Sequence, residues 1–268
     1  MTLTAAEKQA LIARVQQRRW FHRIRLFDDY VTPGKDMTQE KLAALDALGL
    51  PADMKGARVL DIGAWDGFFS FEAERRGAEV VALDHVEQSV TGFALASEAL
   101  RSKVSWRTMN IYQLDPAVLG QFDIVLCLGV IYHLRHILLG LDRVRAVMRP
   151  GGDLFVETAS IDNHVRQSDG SYGKLAQAAP GVKDAALLQL YPFRELGNDP
   201  TNFFAPNLAG LNALLGAAEF DVVKSQAGPA HFPSRAMAWA KAVPNQEAAF
   251  YRDRDEATLP ARSYIKAE

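Results

Sequence analysis

The chain carries one cysteine, Cys127, in 268 residues. No internal disulfide can form, and its place inside the apolar run FDIVLCLGV makes the thiol a small buried hydrophobe rather than a nucleophile. No Cys/His cluster has zinc-site spacing, and no Asp/Glu pairs stand out, so no metal is expected. Long apolar runs are also missing: none approaches the roughly 20 residues that span a bilayer. The N-terminal MTLTAAEKQALIARVQQRRW is charged and amphipathic, without a signal-peptide core, which points to a cytoplasmic protein with no membrane partner. Nor is there an excess of positive charge. The net charge of −2 gives no global field that would concentrate a polyanion, so nucleic acid is not favoured by charge.

What is present is ordinary globular material, 49% hydrophobic and 23% charged, arranged with a clear alternation. Residues 5–19 set Leu11, Ile12 and Val15 on one helical face, and a second helix is expected over 38–48. Strands are expected at 58–62, 79–84, 103–108, 122–128 and 153–158, with helices at 66–76, 88–100 and 134–148. Ile137, Leu141, Val144 and Met148 recur at helical spacing before RPGG stops the last of these. This alternation predicts an α/β fold with a doubly wound, mostly parallel sheet. Strands near 220–225 and 235–242 form its antiparallel end, after a helix that begins at Pro206. Residues 1–50 are read as an N-terminal helical cap, 51–243 as the main domain, and 244–268 as a tail. The Gly-, Asp- and Pro-rich stretch 160–205, punctuated by Tyr172, Tyr191, Phe193, Phe203 and Phe204, reads as a lid insertion with a short helix around 183–190.

The stretch VLDIGAWDGFFSFEAERRGAEVVALD carries the chemistry. The strand 58–62 carrying Asp61, a turn containing Gly63 and Gly67, and a helix place backbone N–H groups at the carboxyl end of the sheet, where ligands of open α/β folds bind. Asp84 ends the next strand, where a carboxylate can accept both hydroxyls of a ribose. The dinucleotide fingerprint needs a glycine where this turn has Trp65, and Asp66 beside it would repel a pyrophosphate. The same acid would suit the cationic S-adenosylmethionine (SAM), so the turn reads as a SAM site. Asn110 can meet the adenine edge, Ile111 can pack on its face, and Leu128 and Gly129 can lie under the methionyl part.

DIGAWDG, Asp84, LGVIYHLRHILLGLDRV and VMRPGG together resemble the doubly wound SAM-dependent methyltransferases. HRIRLFDDYVTPG, GVIYHL and DPTNFFAPN resemble, more narrowly, the branch related to the tRNA wobble-uridine carboxymethyltransferase. The resemblance implies that Gly63 and Asp84 hold the cofactor, with His85 and Val86 beside the ribose and Ile111 and Tyr112 bracketing the adenine. It also implies that Tyr132 and Arg235 match the residues that receive the carboxylate of carboxy-SAM, and Lys41 another family contact. The family's N-terminal lysine is replaced by Phe21-His22-Arg23, which removes a charge-assisted partner worth about 1.5–3 kcal/mol and favours plain SAM.

Methyl transfer from a sulfonium asks the protein for alignment, and for a base only where the acceptor loses a proton. His133 is the candidate base, or else a pocket wall, and Glu157 the second candidate; Tyr132 is a positioning or packing group. His136 reads as surface. His22, Arg23 and Arg235 are candidate substrate contacts, or surface ion pairs. The expected function is methyl transfer to a small-molecule acceptor, at oxygen. The alternatives are a tRNA wobble uridine as acceptor and a SAM-binding protein without turnover. A homo-oligomer is possible.

Overall fold

The computed structural model describes residues 3–28, 30–34, 37–228 and 234–243; the tail 244–268 lies outside the described residues. The chain divides into two compact units, residues 1–110 and 111–268. Among the described residues no helix is long and apolar enough to cross a membrane.

The first unit opens with α1 (Ala5–Gln16), capped by a reciprocal Thr4–Glu7 box that satisfies two otherwise orphaned N–H groups. The ribbon β1 (Arg25–Phe27) and β2 (Tyr30–Val31) follows, then α2 (Thr38–Leu48). The parallel strands β3 (Arg58–Ile62), β4 (Glu79–Asp84) and β5 (Ser105–Thr108) pair in that order, with α3 (Phe68–Arg75) and α4 (Phe93–Leu100) as their crossovers. β3 and β4 are buried almost end to end, as a covered parallel sheet requires. The expected helix over 88–100 begins only at Phe93. Arg18 takes the carbonyls of Ser89 and Thr91, and Asp66 takes the N–H of Gly92, so these groups are committed outside a helix.

The second unit holds α5 (Pro116–Leu119), β6 (Phe122–Leu128), α6 (Ile137–Ala146) and β7 (Met148–Ala159). β6 and β7 run parallel. The helix expected over 134–148 spans only Ile137–Ala146: it ends before RPGG, and Met148, expected on its apolar face, opens β7 together with RPGG, where a register shift between Phe122 and Ile124 accommodates Gly151 at φ +77°. The insertion forms β8 (Val165–Arg166), β9 (Tyr172–Gly173), α7 (Leu175–Ala178), β10 (Leu188–Leu190) and β11 (Phe204–Pro206). Its core joins the end of β7: Tyr191 is buried with Ile161, Leu175, Leu196, Ala205 and Ala159 of β7, and Tyr132 packs against them. No helix covers 183–190. Asn207 binds the carbonyls of Lys183 and Ala185 and the N–H of Leu187, which holds that stretch extended. The same Asn207 caps α8 (Leu208–Ala217) at Gly210 N–H, so Pro206 ends β11 rather than starting the helix. β12 (Phe220–Ala227) and β13 (Arg235–Ala242) pair antiparallel, and β13 pairs antiparallel with β7. Parallel pairings ending in antiparallel strands give the mostly parallel α/β class expected.

Candidate functional site

In the first unit, β3 gives way to a turn with Gly63 at φ +73°, Trp65 at φ +50° and Gly67 at φ +89°. A positive φ at tryptophan costs about 1–2 kcal/mol, and the turn offsets it by backbone bonding. The N–H groups of Gly63 and Ala64 reach the carbonyl of Leu83 at 2.8 and 3.1 Å. Trp65 N–H donates to Asp84 Oδ2 at 3.1 Å, which ties the turn to the carboxyl end of β4. Asp84 is 2% exposed. Its Oδ1 also meets Val86 N–H at 3.3 Å and the exposed His85 ring at 3.0 Å. Three of roughly four carboxylate lone-pair positions are thus engaged, one of them by a side chain free to swing into solvent.

Asp66 does not face a ligand. Its carboxylate is fully buried and accepts the N–H groups of Phe21, His22 and Gly92 at 2.7, 2.9 and 2.7 Å. Burial raises its pKa against the lowering effect of those three donors. It pins the 20–22 segment to the start of α4, so the expectation that this acid neighbours a cofactor's charge is corrected. Gly67 is corrected too: a Cβ there would lie 2.6–2.8 Å from the rings of Phe71 and Phe93. Its bareness admits two aromatic side chains rather than a ligand. Gly67→Ala is expected to cost about 2–3 kcal/mol through overpacking and the left-handed backbone, read as a lower urea midpoint with an unchanged m-value.

Asp61 is buried at the end of β3 and accepts the Ser70 hydroxyl of α3 at 2.6 Å. Burial pushes its pKa up to about 7, reinforced by the charge of Asp84. His22 is buried against Phe21, Phe68 and Phe69, with ring centroids 5.1, 6.3 and 6.0 Å away. Burial, and then the charge of Lys41, push its pKa down to about 3. Arg23 alternates outward and is exposed, while Lys41 sits 5.5 Å over the Phe21 ring. Asn110 follows β5 on the surface.

In the second unit, β6 ends at Leu128, and Gly129 follows at φ +77°. Three side chains converge beneath it: a Cβ on Gly129 would stand 3.5 Å from Tyr132 Oη, 3.6 Å from Glu157 Oε2 and 4.0 Å from Arg235 Nη2. Glu157 is 1% exposed, and its Oε1 lies 2.5 Å from Arg235 Nε. That contact is a close ion pair unaccompanied by an aligned hydrogen bond, and Oε2 is buried with no hydrogen-bond partner among the described residues. Arg235 Nη2 donates to Tyr132 Oη at 3.2 Å, and the guanidinium lies 4.9 Å over the Tyr132 ring. Burial raises the Tyr132 pKa, which keeps the phenol protonated.

The helical turn Ile131–His133 sets Tyr132 and His133 side by side, with ring centroids 4.3 Å apart. His133 Nδ1 lies 3.1 Å from the Thr201 carbonyl and 2.9 Å from its hydroxyl. Ile111 is buried. Tyr112 accepts the N–H of His136 through its phenol oxygen at 3.1 Å, just before α6 begins.

Residues 60–154 match the family model described as a methyltransferase domain. The ubiquinone biosynthesis O-methyltransferase of Xanthomonas campestris pv. campestris (strain B100) is 30% identical over 126 residues, 47% of this chain and 53% of that protein. The tRNA U34 carboxymethyltransferase of Campylobacter hominis is 29% identical over 111 residues, 41% of this chain and 39% of that protein. The chain thus spans about half the length, or less, of these curated relatives. Among solved structures, the N-terminal domain of EvdMO1 in the presence of SAH and D-fucose aligns with a TM-score of 0.58 at 20% identity, covering 88% of this chain and 97% of that one. The fold is the Rossmann-like methyltransferase fold.

Within this Rossmann-like fold, the structure brings Gly63, Trp65 and Asp84 together in the first unit, and Tyr132, Glu157 and Arg235 together in the second. His22 is buried and Arg23 exposed, in the segment that precedes β1, so the two are not brought together. Sequence reasoning missed Thr201 and Asp199 beside His133; the available signal was the Asp-Pro-Thr spacing, which suits a side chain that accepts from the backbone two residues on.

Proposed function

We propose that this chain is a SAM-dependent methyltransferase acting on a small-molecule acceptor, at oxygen. The observation that carries the reading is the left-handed turn after β3, whose Trp65 N–H is bonded to Asp84 at the end of β4. That arrangement suits a ribose: Asp84 would hold its hydroxyls through the acceptor capacity that Trp65 and Val86 leave on the carboxylate, once the exposed His85 gives way. Asp61, Gly63, Val86 and Asn110 belong to the same cofactor-holding set. Gly67 and Trp65 shape the turn, and Ile111, Tyr112 and Leu128 would hold the adenine and the methionyl part.

A cationic cofactor also suits the donor set of the second unit. Glu157 Oε2, buried and without a hydrogen-bond partner, lies under a Gly129 that lacks a side chain. With Asp66 turned inward, Glu157 is the acid that would tolerate positive charge. When bound, SAM supplies the electrophilic methyl. The protein aligns it, excludes water and receives the acceptor's proton. His133, half-buried at the end of the turn Ile131–His133, is the proton acceptor we assign; Glu157 is committed to Arg235. Tyr132 and Arg235 are positioning groups.

The pairing of Arg235 with Glu157 also bears on the cofactor. A guanidinium already matched by a carboxylate has less to offer a second one, which favours SAM over carboxy-SAM. The tRNA reading keeps the support of the Campylobacter relative, against a net charge of −2.

Calorimetry with SAM and SAH tests the cofactor, and transfer of labelled methyl across a metabolite extract and total tRNA tests the acceptor. Asp84→Ala is expected to weaken SAM binding about 10- to 100-fold, the worth of charge-assisted ribose hydrogen bonds. Saturation by NADH with no binding of SAM or SAH would overturn the reading.

A further inference from the structure

We infer that Thr201 and Asp199 are positioning residues that fix the tautomer of His133, so that Nε2 takes the proton during transfer; this rests on the assignment of His133 as the base. Asp199 Oδ1 accepts both the N–H and the hydroxyl of Thr201, at 2.8 and 2.7 Å. Burial raises the Asp199 carboxyl, but the two Thr201 bonds, helped by the charge of Arg194, outweigh it and hold the group below its usual range, so it is ionised and can only accept. The Thr201 hydroxyl proton is therefore spent on Asp199. What that hydroxyl presents to His133 Nδ1 at 2.9 Å is a lone pair, and the Thr201 carbonyl at 3.1 Å presents another. Two acceptors facing one ring nitrogen require Nδ1 to carry hydrogen, which leaves the basic lone pair on Nε2.

The supporting loop is held in place on both sides. Phe203 N–H donates to the Tyr132 carbonyl at 2.8 Å, and Asn202 Nδ2 donates to the Leu196 carbonyl at 2.8 Å. Among the described residues, the charged and titratable groups around the ring include Asp199, Tyr132 tilted beside it at 44°, the Arg235–Glu157 pair across Tyr132, Arg194 acting on Asp199, and Arg135 over the Phe203 ring at 5.3 Å. Of these, Asp199 is the anion connected to His133 through hydrogen bonds. In the step assigned, the acceptor O–H bond breaks as its oxygen bonds the methyl carbon. The proton passes to Nε2, the carbon–sulfur electron pair returns to sulfur, and the imidazolium later loses its proton to solvent. Asp199 stabilises that imidazolium through Thr201.

The test separates this inference from the enzyme assignment, because the tautomer can be read in the protein alone. Nitrogen-15 correlation spectra of the histidine rings, with His133→Gln to assign the signals, are expected to show His133 as the Nδ1–H form above its titration. Asp199→Asn is expected to move that titration to lower pH, and to carry the acid limb of kcat/KM with it. Thr201→Val is expected to lower kcat about 10-fold or more with KM for the acceptor little changed, as for a misaligned base, and Thr201→Ser to restore it. An Nε2–H tautomer in the unmodified protein, or a His133 titration unmoved in Asp199→Asn, would overturn the inference even if methyl transfer is found. The Nδ1–H form together with no labelled acceptor would leave the geometry standing and count against the methyltransferase reading instead.

Discussion

Replacing Glu157 with leucine is expected to destabilise the protein by about 3–5 kcal/mol, the cost of leaving a buried cation without its counter-charge. Among the described residues, Arg235 keeps only the Tyr132 hydroxyl, a neutral acceptor at 3.2 Å, when its 2.5 Å partner is removed. Glu157→Leu combined with Arg235→Met is expected to recover most of the loss, because the desolvation of both charges disappears together with their attraction. The double-mutant cycle in urea isolates the pair from the packing of each side chain. Equal losses that simply add would show that the ion pair contributes nothing, and that Glu157 is buried for another reason. For function the expected pattern differs: Glu157→Gln keeps the shape and removes the charge, so an effect on SAM affinity beyond its effect on stability would report contact with a cationic ligand.

The parts of the fold legible in the sequence are those set by local pattern. The bounds of α2, β3, β4 and β6 follow from apolar runs closed by glycine, by proline or by a terminal acid, and they fall where expected. Elements whose backbone groups are claimed from afar were not legible. The 88–92 segment looks helical, yet Arg18, 71 residues earlier, and Asp66 bind its polar groups. The 183–190 segment likewise yields to one side chain, Asn207. The candidate site divides the same way. Gly63 and Asp84 are marked by their positions at strand ends, but the orientation of Asp66 is decided by three N–H groups, those of Phe21, His22 and Gly92, all distant in the chain. No periodicity encodes that. Gly67 shows that a glycine in a ligand-like motif can serve packing, since only the positions of Phe71 and Phe93 reveal what its missing side chain makes room for.

Between about pH 4 and 6.5, His22 and Asp61 are expected to drive stability in opposite directions, so that neither is visible until the other is removed. In the folded state His22 titrates near 3, against 6.5 for an unperturbed histidine. Across that window the unfolded chain binds a proton that the folded one refuses, so stability rises with pH, by about 1.4 kcal/mol per unit. Asp61 titrates near 7, against 3.8 for an unperturbed aspartate. There the folded state keeps a proton that the unfolded chain has lost, so stability falls with pH by the same amount per unit. Removing His22 with glutamine is expected to leave a protein that loses stability, relative to the parent, by roughly 3 kcal/mol more at pH 6.5 than at pH 4. Asp61→Asn is expected to show the reverse slope. Urea unfolding of the two variants and the parent at both pH values reads the slopes as differences, so each substitution's constant packing cost cancels. A variant-minus-parent difference that stays flat across the window would mean that the group titrates normally in the folded protein, and that burial beneath Phe68 and Phe69, or beside Ser70, does not exclude water as the geometry implies.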